Sequence, residues 1–261
     1  MYKKVNALYF SATGVVGKVV KEIAKSLDKD FKDYNITPPN AREEGISFNE
    51  EDIVIIGVPV YAGRIPKLVA DYFEKVKGEN TLAVFVAVYG NRDYEDALVE
   101  LKDMFEEKGF IGVAACSFIG EHSYTSQVGT GRPDEMDLNI ARDFSEKITA
   151  KLNRTASSDE LELFFVKGSV PYRDRKEFPE MAPDTDESCI KCSICAKFCP
   201  TGAISFEDFS DIDSNICIAC CSCIKRCPVD SKSMNYEFFD TVRERLVANF
   251  KETRKEPELF I

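Results

Sequence analysis

At 261 residues, 44% hydrophobic and 30% charged, the chain has room for one large globular domain or for a domain and a small partner. A net charge of −11 argues against a nucleic-acid binder, which needs a basic face, and suits either a partner with basic docking patches or plain solubility. The apolar run at residues 5–10 is too short for a signal peptide and nothing approaches the roughly 20 apolar residues of a membrane helix, so a cytoplasmic protein is expected.

Strand-like runs are expected at residues 5–10, 31–36, 53–58, 82–88 and 111–119, with helical patterns between them at 16–27, 67–76 and 93–108 and a last one at 134–152. The third and fourth runs are apolar nearly throughout, as parallel strands covered on both faces are. Gly109 in "EEKGF" supplies a helix stop before the fifth. Five strands with crossover helices predict an α/β fold, a doubly wound five-stranded parallel sheet of order 2-1-3-4-5. The rhythm stops near residue 152. Residues 153–185, with "TASSDE" and prolines 171, 179 and 183, read as an extended linker, longer than a compact domain usually contains. The expected organisation is an α/β domain at 1–152, this linker, a cysteine-rich domain at 186–235, and a C-terminal helix and tail at 236–261. The tail "EPELFI" reads equally as packing back on the protein or fraying.

Nine of the ten cysteines lie between Cys189 and Cys227. "CIKCSICAKFCP" and "CIACCSCIKRCP" both read C-x2-C-x2-C-x3-C-P, and corresponding positions, Pro200 and Pro228 included, are offset by 28 residues. This is the two-[4Fe–4S] ferredoxin signature, in which the fourth cysteine of each run ligates the other cluster. Three thiolates on a short turn can wrap three corners of a cubane, and soft sulfur suits iron–sulfur. One cluster is therefore assigned to Cys189, Cys192, Cys195 and Cys227, the other to Cys217, Cys220, Cys223 and Cys199. A zinc module would need only two C-x2-C pairs, half this number. Cys116 and Cys221 read as small buried hydrophobes.

In a doubly wound sheet the ligand sits at the carboxyl ends of the strands, where strand order reverses. The loops that gather there read "SATGVVG" (11–17), "PVYAGRIP" (59–66) and "YGNRDY" (89–94). The first combines hydroxyls, a glycine and the N–H groups of a helix start, which suits a phosphate. It is not a Walker loop, because Lys18 is followed by valine, and no G-x-G-x-x-G follows a strand. The other two loops present Tyr61 and Tyr89, aromatic rings that could flank a flavin. "GEHSYTSQVGTGRPD" (120–134) holds the single histidine, His122, as a proton-donor candidate. It reads equally as a surface loop and as an interdomain lid carrying Ser123, Tyr124 and Arg132.

With Ser11-Ala-Thr13-Gly14, "VYAGRIP", "VYGNRDYEDAL", "GEHSY" and the cysteine repeat, the chain resembles the flavodoxin–ferredoxin fusion proteins of anaerobic microbes. The resemblance covers nearly the whole length. It implies a flavodoxin-like sheet followed by a small α+β ferredoxin-like domain. It also implies FMN, held at its phosphate by Ser11, Thr13, Gly14, Val15 and Val16 and at its ring by Pro59, Val60, Tyr61, Ala62, Gly63, Tyr89, Gly90, Asn91, Arg92 and Tyr94. Flavodoxins typically carry threonine where this chain has Val16, so one hydroxyl donor is missing. The expectation is a weaker phosphate site that a Val16→Thr change would tighten.

The function expected is electron transfer between FMN, two [4Fe–4S] clusters and a partner redox protein. The alternative is an FMN-dependent reductase of a small substrate such as a quinone, fed through the ferredoxin domain. Lys191, Lys197, Lys225 and Arg226, beside the cluster cysteines, would tune potential or guide docking, or are solvated charges. A linker of this length would also let the ferredoxin domain serve a neighbouring chain in a homodimer.

Overall fold

The computed structural model describes residues 2–155, 157 and 160–261; residues 156, 158 and 159 of the predicted linker, and Met1, lie outside the described residues. Five parallel strands form the sheet: β1 (Lys4–Tyr9), β2 (Lys32–Asn35), β3 (Asp52–Pro59), β4 (Thr81–Tyr89) and β5 (Phe110–Ile119). A sixth, β6 (Glu258–Phe260), comes from the C-terminal tail and pairs antiparallel with β5 through Ser117, Cys116 and Ala115. The order is β2-β1-β3-β4-β5-β6. The expected 2-1-3-4-5 arrangement is thus extended by one strand. Leu259 joins the core on one face of the sheet and Phe260 the core on the other, the alternation of a true strand, and together they cover the open edge of β5.

Helices α1 (Val15–Leu27) and α4 (Glu135–Arg154) cover one face through Val19, Val20, Ile23, Phe144 and Ile148. The other face is covered by α2 (Lys67–Phe73) and α3 (Ala97–Glu106), with Val69, Phe73, Leu98, Leu101 and Phe105. β3 and β4 are buried almost throughout because both faces are covered. At Gly57 a Cβ would stand 2.1 Å from a Val20 methyl, so the absence of a side chain in β3 sets how closely α1 can approach. Among the described residues no helix is long and apolar enough to cross a membrane.

Beyond α4 regular structure becomes sparse, yet the chain stays on the domain. Val166 is buried in the α2/α3 core. The Asp96 carboxylate accepts the N–H groups of Ser169 (2.9 Å) and Arg173 (2.8 Å), and the Tyr172 hydroxyl donates to Asp103 at 2.6 Å. Residues 184–185 then pair antiparallel with 232–233 and enclose the cysteine-rich segment. Its two one-turn helices are α5 (Ile194–Lys197) and α6 (Ser222–Lys225). The 28-residue repeat reappears in the backbone. Lys191 and Ser193 have positive φ, and so do Ala219 and Cys221, their counterparts. In each copy the αL residue accepts the N–H four residues on at 3.0 Å, Lys197 to Ser193 and Lys225 to Cys221. Non-glycine residues hold that conformation at a cost of roughly 1–3 kcal/mol, here to bend the chain around the space between the cysteines. Helix α7 (Glu237–Phe250) packs Phe239 against Met181, Cys221 and Met234 before the chain returns to β5.

Candidate functional site

One group of cysteines crosses the two motifs. Cys199, from the first motif, lines one cavity with Cys217, Cys220 and Cys223 of the second. Burial raises the Cys195 thiol, against the lowering effects of Lys232 and the Ala196 N–H, and Cys189 and Cys192 are near enough to add smaller upward pushes. Burial pushes Cys220 and Cys223 up to about 12, with the neighbouring sulfurs adding to it. Cys227 is the exception. Burial raises it, but the Ser231 hydroxyl and the N–H groups of Val229, Ser231 and Lys232 outweigh that and hold it below the usual thiol range. Four crowded, mostly buried sulfurs are poor thiolates alone and become good ones when a soft cation replaces their protons. Among the described residues no three His, Cys, Asp or Glu converge as a single metal ion requires. A mononuclear ion needs every sulfur about 2.3 Å from one point, whereas a cluster offers each sulfur its own iron. The donor set therefore fits a cluster better than zinc. Cys221 also borders the cavity, but its thiol bonds the Ala219 carbonyl at 3.6 Å and the residue packs with Met181 and Phe239; Cys116 lies fully buried in β5.

At the turn after β1, Gly14 takes φ 88° as the N-cap of α1, a left-handed conformation that glycine reaches without a Cβ penalty. The Ser11 hydroxyl accepts the Gly17 N–H at 3.0 Å, and the Ser11 N–H donates to Thr37 Oγ1 at 2.8 Å. The N–H groups of Thr13, Val15 and Val16 donate to nothing among the described residues. This is an anion cradle at a helix start. It borders a cavity of about 200 Å³.

Val16 itself offers only backbone there. Its side chain is 3% exposed and packs with Val19 and Val20 in the core between α1 and the sheet, one methyl lying 3.0 Å from where a Gly57 Cβ would be. A threonine hydroxyl at this position would sit among those apolar groups. We expect Val16→Thr to leave anion or FMN affinity within about threefold and to lower stability by about 1 kcal/mol or more, the cost of a poorly paired buried hydroxyl. Isothermal titration and thermal unfolding of the two proteins check this.

The ring-side loops divide. Residues 61–64 form a tight turn one residue beyond the end of β3, with the Tyr61 N–H donating to Arg64 O (2.9 Å) and the Arg64 N–H to Tyr61 O (3.1 Å). Val60 and Tyr61 pack on the same core cluster as Ile218 and Cys220 of the second cysteine motif. Burial raises the Tyr61 hydroxyl well above its usual range, with further contributions from Cys220 and Tyr124. Tyr89 and Tyr94 instead face each other, ring centroids 5.6 Å apart, within the α2/α3 core. The Tyr94 hydroxyl donates to Glu258 at 3.0 Å. Asn91, 1% exposed, donates to the carbonyls of Phe250 (3.2 Å) and Thr253 (2.6 Å) and accepts the Lys255 N–H at 3.4 Å. Arg92 pairs with Glu95 at 2.7 Å, which also binds Arg173. The residues predicted as ring contacts at 59–63 thus lie at the C-terminal end of β3 and the turn after it, while Tyr89, Asn91 and Tyr94 are engaged by the C-terminal segment.

Gly90 touches His122, whose Cδ2 would lie 2.4 Å from a Cβ there. The imidazole Nδ1 accepts the Tyr124 N–H at 3.1 Å, and Tyr124 continues to Phe239, centroids 4.4 Å apart. Burial, helped by Lys225 and Arg92, lowers His122 from 6.5 to about 4, so the ring is neutral at ordinary pH. An unfolded chain binds this proton near pH 6.5 and the folded one does not. Stability must therefore fall as pH drops from 6.5 towards 4, by roughly 3 kcal/mol at 1.36 kcal/mol per pKa unit. A His122→Gln variant should lose that slope when denaturant midpoints at pH 8 and pH 5 are compared with the wild type.

Ser222 and Arg226 bring the cysteine-rich segment onto the phosphate-type turn. The Ser222 hydroxyl donates to Ala12 O at 2.6 Å, and Arg226 Nη2 to the same carbonyl at 3.3 Å. Nothing local in the sequence announces Ser222 or Thr37, since both act across a tertiary contact.

The flavodoxin-domain family model matches residues 7–124, and the 4Fe-4S binding-domain model matches residues 184–205. The chain carries a flavodoxin domain followed by a 4Fe–4S binding domain, which matches the organisation of a flavodoxin–ferredoxin fusion. Among solved structures it is similar to a flavodoxin from the domain Archaea (11% identity, TM-score 0.42, covering 58% of this chain and 99% of that one). A flavodoxin from Streptococcus pneumoniae TIGR4 is 17% identical, with TM-score 0.42 over 57% of this chain and 99% of that one. Rubredoxin oxygen:oxidoreductase from Desulfovibrio gigas is 16% identical, with TM-score 0.37 over 58% of this chain and 36% of that one. No curated protein sequence matches.

Proposed function

We propose that the chain is an electron-transfer flavo-iron–sulfur protein, with FMN on the flavodoxin domain and two [4Fe–4S] clusters on the ferredoxin domain, exchanging low-potential electrons with a partner redox protein. The observation that carries this is the nearness of the two kinds of site: Cys220, one of the predicted ligand sulfurs lining a common cavity, shares a core cluster with Tyr61 of the loop after β3 and lies near enough to act on its hydroxyl. Bound FMN would supply one- or two-electron chemistry and each cluster one-electron chemistry. The chain supplies placement. Free N–H groups at Thr13, Val15 and Val16 suit the phosphate, and the turn at Tyr61 brings the ring-side loop against the second cysteine motif.

The eight ligand thiolates suit a reducing compartment, for which we propose the cytoplasm. The ferredoxin segment docks on its own chain's flavodoxin domain, so electron transfer within one chain needs no second copy. Anaerobic purification followed by iron, sulfide and flavin analysis and a redox titration tests the reading. About eight irons and one FMN per chain are expected; zinc in place of iron, or absence of any flavin affinity, would refute it.

A further inference from the structure

The cavity beside the phosphate-type turn is walled by both domains. Ser11, Gly14 and Gly17 come from the flavodoxin side, and Lys197, Phe198, Cys199 and Arg226 from the ferredoxin side. Three cations line it, Lys21, Lys197 and Arg226, and no carboxylate does, in a chain of net charge −11. None of the three forms an ion pair among the described residues, although twenty ion pairs occur elsewhere. Arg226 is also aimed. Its guanidinium stacks on Phe198, 4.4 Å from the ring centroid, and Nε meets the Ser222 hydroxyl at 3.2 Å. Nη2 lies 3.6 Å from where a Gly14 Cβ would stand, directly over the turn whose N–H groups are free. A planar guanidinium held this way is prepared for an oxyanion.

We propose that Arg226, from the ferredoxin domain, is a phosphate ligand of the flavodoxin domain's cofactor site, so that the FMN phosphate is bound across the domain interface. This rests on the flavin reading above. It assigns to Arg226 the side-chain donor role that the Val16 side chain, turned into the core, cannot fill. It also makes flavin binding and domain docking mutually dependent, because the anion would bridge Arg226 to the free N–H groups of the turn.

The test uses the full-length, cluster-loaded chain freed of flavin, titrated with FMN and with riboflavin, which lacks the phosphate, and followed by flavin fluorescence. Arg226→Gln is expected to weaken FMN about tenfold or more while leaving riboflavin unchanged, as loss of a charge-assisted hydrogen bond does. Arg226→Lys should recover part of the loss, and the salt dependence of FMN affinity should flatten in Arg226→Gln. Iron and sulfide content, unchanged in both variants, shows that the ferredoxin domain is intact. Equal FMN affinity in wild type and Arg226→Gln overturns the inference alone. So does equal weakening of FMN and riboflavin, which would make Arg226 a docking residue, or a shifted cluster potential with FMN affinity untouched. Failure of the wild type to bind either flavin overturns the flavin reading, and the inference with it.

Discussion

Replacing Cys199 by serine is expected to remove the cluster held by the second motif, not the first motif in which Cys199 is written. The structure places this sulfur at the cavity of Cys217, Cys220 and Cys223, 18 or more positions along the chain, while Cys189, Cys192 and Cys195 keep their own neighbourhood. Iron should fall from about eight to about four per chain. The reciprocal change, Cys227→Ser, should spare the cavity cluster. The two variants then differ in function as well as in iron content. A cluster held at the cavity would be the one nearer the flavodoxin loop, because Cys220 lies close to Tyr61, so Cys199→Ser should interrupt exchange between the domains, whereas Cys227→Ser should interrupt it at the outer end. Anaerobic iron analysis and low-temperature EPR of each reduced variant decide the matter. If both variants lose the same signal, the crossed assignment is wrong.

The alternation of buried strands and helices was legible because parallel strands covered on both faces leave long apolar runs, as β3 and β4 do. The cysteine repeat was legible because its ligand chemistry fixes residue type and spacing together, and the backbone repeats with it at Lys191/Ala219 and Ser193/Cys221. Two misplacements had a readable signal. Phe85, Ala87 and Tyr89 alternate along β4 on one face, so period two already turned Tyr89 into the core. Val16, Val19, Val20 and Ile23 make a helical stripe, which turned Val16 inward. Other features had none. A strand of three residues, Glu258–Phe260, carries no periodicity and exists because the edge of β5 receives it. Arg226 reads as one charge among several beside a cysteine. Only the docking of Ser222 on Ala12, 210 positions away, shows what it faces.

The same docking explains why a stretch that reads as a linker does not behave as a tether. Asp96, Asp103 and Glu100 of the α3 region hold residues 169–175, and the C-terminal segment returns over Asn91 to the sheet. The ferredoxin segment is therefore tied at both of its ends to the flavodoxin domain.

Glu100→Ala is the change expected to loosen that arrangement most. Glu100 is 3% exposed and serves four donors at once. Arg64 binds it bidentately, Nε to Oε2 at 2.7 Å and Nη2 to Oε1 at 2.9 Å, the Ile65 N–H donates at 3.0 Å, and Arg175 completes the set from the predicted linker. Arg64 in turn reaches the Arg173 carbonyl and lies 4.9 Å from the Tyr172 ring centroid. Removing the carboxylate leaves a mostly buried guanidinium unpaired, a loss of about 3–5 kcal/mol. At the size of this chain that lowers the apparent unfolding midpoint by roughly 10 °C. The local consequence is more specific. Arg64 closes the turn that begins at Tyr61, so its release should free that turn and residues 169–175 together, exposing the segment to limited proteolysis well below the global transition. Glu100→Gln keeps acceptors for Arg64 and should lose about half as much. An alanine variant that melts within 2 °C of wild type and resists cleavage would show that Glu100 is not what holds the segment down.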